Sequence, residues 1–114
     1  MSGLVNQSAD ARSKTIGQNF RCRAWVSFNG TGTIAINSSA NVSSVTDGGT
    51  GNYTFTMTKA MPDTTYCAVG AAGIGGNYTA VKTTPNSTTV VAIDTSNDQA
   101  GWTDAGYVGC AVFR

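Results

Sequence analysis

Through most of the chain, apolar and polar residues alternate in short runs divided by Gly, Asn, Asp and Pro. In "RAWVSFNGTG" (23–32), Ala24, Val26 and Phe28 alternate with Arg23, Trp25 and Ser27 before Asn29-Gly30. A period of two is the signature of a strand with one buried face. The same pattern sets Tyr53, Phe55 and Met57 against Thr54, Thr56 and Thr58. It also sets Val108, Cys110 and Val112 against Tyr107, Gly109, Ala111 and Phe113. Eight strands are expected, over 20–28, 33–37, 41–47, 53–58, 65–70, 77–83, 88–94 and 107–113.

The separators carry turn chemistry. Asn29-Gly30 predicts a type I′ hairpin, whose two central residues both need positive φ. "DGGTGN" (47–52), "MPDTT" (61–65) and Pro85-Asn86 mark further turns, and "GAAGIGG" (70–76) a flexible one. "TSNDQAGWTDAG" (95–106) is expected to be a surface loop holding Trp102. Residues 1–18 lack periodicity and suggest an extended N-terminal arm, leaving 19–114 as one domain. The expected fold is all-β: a single antiparallel β-sandwich or jelly-roll-like domain of about eight short strands.

Composition narrows what this domain can do. Leu, Ile, Val and Phe supply 20 of 114 residues, so the core is thin and association with neighbouring chains would bury what a monomer cannot. A net charge of +1 argues against general attraction to nucleic acid. No apolar run approaches the ~20 residues of a membrane span, and the start has no apolar signal region. Synthesis in a cytoplasm is therefore expected. Cys22, Cys67 and Cys110 each fall in an expected strand, which suggests reduced, buried thiols, with a disulfide as the lesser alternative.

The search for chemistry excludes more than it finds. With no His there is no Ser-His-Asp triad, Cys-His dyad or His metal ligand. No C-x-x-C pair offers a zinc site. The six Asp residues fall mainly at turns, where local hydrogen bonding favours them. "DTSND" (94–98) opens like a calcium loop, but Gln99 stands where Gly is required and no chelating Glu follows. An enzyme, a cofactor and a bound metal are accordingly not expected. Charge placement is more informative: Arg12, Lys14, Arg21 and Arg23 put four of seven cations in the arm and first strand. Such an arm suits docking on an acidic partner. RNA stacking on Trp25 would need a repeated aromatic-basic pattern that the chain lacks.

The phrases "RAWVSFNGTGT", "NVSSVTDGGTGNYTFT" and "AMPDTTYCAVG", and more loosely "YVGCAVFR", resemble a β-rich module of bacteriophage virion proteins, especially of marine and cyanobacterial phages. That module is usually labelled tail fibre. The resemblance spans about four-fifths of the chain and implies a virion protein. Heptads, a G-x-y repeat and a long shaft, which fibres place ahead of such a module, are missing here. A short arm and a globular body match the plan of a capsid cement or decoration protein on the outer virion surface. The expected partners are then the major capsid protein or other virion proteins, plus further copies of the chain, with a trimer favoured. Leu4, Val5, Arg12, Lys14 and Ile16 would grip the capsid. Arg21, Arg23 and Trp25 would form an intersubunit seam, since Trp and Arg are favoured anchors. The alternative is a receptor-binding tip recognising host glycan through Asp98, Trp102 and Asp104.

Overall fold

A computed structural model describes residues 21–73, 79–97 and 101–114. These form nine strands: β1 (Cys22–Asn29), β2 (Ala35–Ala40), β3 (Val42–Gly49), β4 (Asn52–Met57), β5 (Cys67–Gly73), β6 (Thr79–Pro85), β7 (Val90–Asn97), β8 (Gly101–Trp102) and β9 (Tyr107–Phe113). All pairings are antiparallel and make two sheets. One has the order β2-β1-β9-β5, and the other β3-β4-β7-β6 with β8 alongside β7.

The alternation seen in the sequence decides which side chains lie between the sheets. Ala24, Val26, Phe28, Val108, Cys110 and Val112 come from one sheet. They face Tyr53, Phe55, Met57, Val91 and Ile93 from the other. At ~25 cal/mol per Å² of apolar surface removed from water, these interdigitated side chains are the main stabilising term. Phe28 and Tyr53 cross the layers edge to face, with ring centroids 5.2 Å apart.

Three expectations are corrected. Asn29-Gly30 is not a two-residue hairpin: Asn29 pairs with Ala35 across a five-residue loop, 30–34, and Gly32 carries the positive φ of 60°. Asn29 Oδ1 instead accepts hydrogen bonds from the Thr31 amide (2.9 Å) and hydroxyl (2.6 Å). Gly30 is required for space, because a Cβ there would lie 2.6 Å from the Tyr53 ring and 2.8 Å from the Ala105 carbonyl oxygen. The tight two-residue connection lies at Thr50-Gly51, between Gly49 and its partner Asn52. The second correction concerns Gly70 to Gly73, which belong to β5 and not to a turn. A Cβ on Gly70 would sit 2.9 Å from Val81 Cγ1, so this glycine permits close approach of the layers. Finally, the stretch after Asp94 is not wholly loop, since β7 runs to Asn97 and pairs with β8 at Trp102.

Candidate functional site

Two surface features arise from this arrangement. The first is the outer face of the β1-β9-β5 sheet. Trp25 on β1 and Val69 on β5 are both register partners of Ala111 on β9, so the three make one row across the sheet. The next row is Ser27, Gly109 and Ala71. The ring of Tyr107 folds back over Gly109, which has no side chain to obstruct it. A groove of about 440 Å³ runs between Trp25, Val69 and Tyr107. Its lining contains no charged residue. Trp25 is 39% exposed, Tyr107 48% and Val69 50%. Three large apolar side chains on one uncharged sheet face are what an interface core presents.

The second feature is an end cavity of about 680 Å³ where β1 starts and β9 finishes. Arg21, Arg23, Lys59 and Arg114 line it, with Met61 and Asn41. Asn41 adopts φ 57°, which Asn tolerates, at the one-residue step between β2 and β3. Its Nδ2 donates to the Arg23 carbonyl (3.1 Å) and the Lys59 carbonyl (3.2 Å), while its Oδ1 accepts from the Lys59 amide (2.7 Å). Arg114 is held in a fork by Asp63 at 2.7 and 3.0 Å. Hydrogen bonds from the Arg114 guanidinium, then from Thr65, hold the Asp63 carboxyl well below its usual range. A lowered carboxylate pKa stabilises the fold above the ordinary value of about 4, and that contribution is lost as pH falls towards the folded value.

The residues expected to act together are therefore divided. Trp25 lies on the apolar face, exposed. Arg21 and Arg23 line the end cavity, and Arg23 Nη1 donates to the Arg114 carbonyl at 3.1 Å. Trp102 is 57% exposed on β8. Asp104 has its Oδ1 engaged by the Gly51 amide (2.8 Å) and lies 3.1 Å from the Tyr53 hydroxyl. Leu4, Val5, Arg12, Lys14, Ile16 and Asp98, with the arm, lie outside the described residues. Sequence reasoning missed Val69, Tyr107, Lys59 and Arg114. Nothing in the one-dimensional pattern places β5 beside β9, or Lys59 beside Arg23.

The cysteines need correction as well. Cys110 is buried, and its burial pushes the thiol up to about 12. Cys22 and Cys67 are exposed. Strand membership did not decide the face: Cys67 shares a row with Phe113, and Cys22 sits at an irregularity in the β1-β9 register. Both pair with Phe113, from opposite sides of β9. Two strand spacings put their backbones about 9.6 Å apart, beyond the ~7 Å limit for a disulfide. A thiol-reactive dye should modify Cys22 and Cys67 in the native protein and Cys110 only after unfolding. Rapid native labelling of all three would contradict the burial of Cys110.

Among the described residues, no group of three or more His, Cys, Asp or Glu side chains could hold a metal ion. Comparison with protein-family models, with curated proteins and with solved structures gave no match.

Proposed function

We propose that this chain is a non-enzymatic structural protein of a bacteriophage virion that self-associates through the outer face of β1, β9 and β5. The reading rests on one observation: the uncharged row of Trp25, Ala111 and Val69, extended by Tyr107. An uncharged apolar face is matched best by another uncharged face, and a second copy of the chain carries one. Like patches brought together around a rotation axis close into a symmetric oligomer, and a threefold axis beside this face gives a trimer. The resemblance of the "RAWVSFNGTGT" and "AMPDTTYCAVG" stretches to virion modules supplies the context.

Within that context the first choice is a capsid cement or decoration protein, trimeric on the outer shell. Its arm residues Leu4, Val5, Arg12, Lys14 and Ile16 would engage the major capsid protein. Binding only to the assembled shell would stabilise it by linkage. The exposure of Trp102 supports a second reading, a tail-fibre tip on which a sugar ring stacks. Quantitative mass spectrometry of purified virions separates the two. Hundreds of copies per particle are expected for decoration, whereas a handful would overturn it.

A further inference from the structure

The end cavity gathers four of the five Lys and Arg residues found after position 20. The fifth, Lys82, stands on β6, opposite Asp94. Among the described side chains, one carboxylate, Asp63, pairs with any of the four, and it is committed to Arg114. Among the described residues, neither the Arg21 guanidinium nor the Lys59 ammonium has a hydrogen-bond or ion-pair partner. Arg23 uses one nitrogen on the Arg114 carbonyl and keeps further donors. Cations held around a common cleft repel one another and focus a positive potential into it. A bound anion relieves that repulsion.

The cleft is also built, not merely charged. The Asn41 side chain ties the backbone of Arg23 to that of Lys59 through three hydrogen bonds. Buried Met61 is part of its lining, and the Asp63 fork fixes Arg114. Three of the four cation-bearing segments, those of Arg23, Lys59 and Arg114, are thus positioned before any ligand arrives, which lowers the ordering cost of binding. The guanidinium groups offer planar, forked donors suited to oxyanions, and Lys59 adds a point charge. A volume of about 680 Å³ exceeds what a lone ion needs and falls in the range of small-molecule sites.

We infer that this cavity is an oxyanion site, taking a phosphate or sulfate group either free or carried on a sugar. The site lies at the end of the sandwich and does not depend on self-association through the sheet face.

The test is titration of the full-length protein, followed by amide and side-chain NMR at low ionic strength. The probes are inorganic phosphate, inorganic sulfate, and a sulfated disaccharide beside its unsulfated parent. Saturable shifts are expected at Arg21, Arg23, Asn41 and Lys59, with a rise in melting temperature. Lys59→Ser should weaken binding by about tenfold, the loss of one charge-assisted contact. Lys82→Ser, which removes the same charge elsewhere, should leave it within about twofold. Disaccharide binding at least about tenfold tighter than inorganic sulfate identifies a sugar-borne group, whereas equal affinity identifies the free ion. No saturable shift with phosphate, sulfate or the sulfated sugar would overturn the inference. Equal weakening by Lys59→Ser and Lys82→Ser would overturn it too.

Discussion

Arginine in place of Ala111 is expected to weaken self-association by more than about a hundredfold while leaving the sandwich folded. Ala111 lies on the central strand of the apolar face, between Trp25 and Val69. In a monomer, an arginine there can lay its methylene stem along Trp25 and lift its charge into water. In an oligomer built on this face, the guanidinium would be trapped without a carboxylate. Burying an unpaired charge costs several kcal/mol, and about 2.8 kcal/mol already corresponds to a hundredfold. Thr46→Arg is the matched control, because exposed Thr46 lies on β3 of the other sheet. Sedimentation velocity should show a monomer for Ala111→Arg and an unchanged assembly for Thr46→Arg. An unchanged mass for Ala111→Arg would remove this face as the interface.

Tyr53→Phe is expected to cost about 2 kcal/mol of stability, more than most single-atom deletions. The hydroxyl is fully buried and ties three segments together. It accepts from the Ala105 amide at 3.2 Å and lies within donating distance of the Gly30 carbonyl (3.0 Å) and Asp104 Oδ1 (3.1 Å). Phenylalanine fills the same space but leaves the amide of fully buried Ala105 without an acceptor. An unsatisfied buried donor costs roughly 1–3 kcal/mol. Burial, reinforced by the neighbouring Asp104 carboxylate, also raises the Tyr53 pKa. Its stabilising contribution is therefore complete below the ordinary phenol value of about 10 and is lost as pH rises through the raised value. Denaturant unfolding should show the stability loss, and the variant should show a shallower decline above pH 10. A change under about 0.5 kcal/mol would mean that the hydroxyl joins nothing essential.

How far the sequence carries depends on the range of the interaction. Ala24, Val26, Phe28, Tyr53, Phe55 and Met57 could be placed in the core because alternation is local and a sheet face is decided by parity. Turn geometry was less legible. Asn29-Gly30 has the residues of a tight hairpin, yet Gly30 answers to Tyr53 and Ala105, which are distant in sequence. Gly70 similarly answers to Val81 and Thr83 across the layers. Trp25 was readable as a candidate because a large aromatic stood on the polar phase of its strand. Its companions Val69 and Tyr107 were not, since β5 and β9 are neighbours only after folding. Arg23 shared the phase of Trp25 but not its destination, because the end of the strand delivers it to Asn41, Lys59 and Arg114.

The central claim is that a second copy covers Trp25, and the emission of that residue tests it most directly. The chain has two tryptophans, so Trp102→Phe leaves Trp25 as the sole indole. Emission recorded across a dilution series should shift to shorter wavelength as concentration rises, in step with the mass measured by sedimentation, because association removes Trp25 from water. An emission maximum that stays constant while the protein remains monomeric, or while it assembles, would contradict a seam at this face.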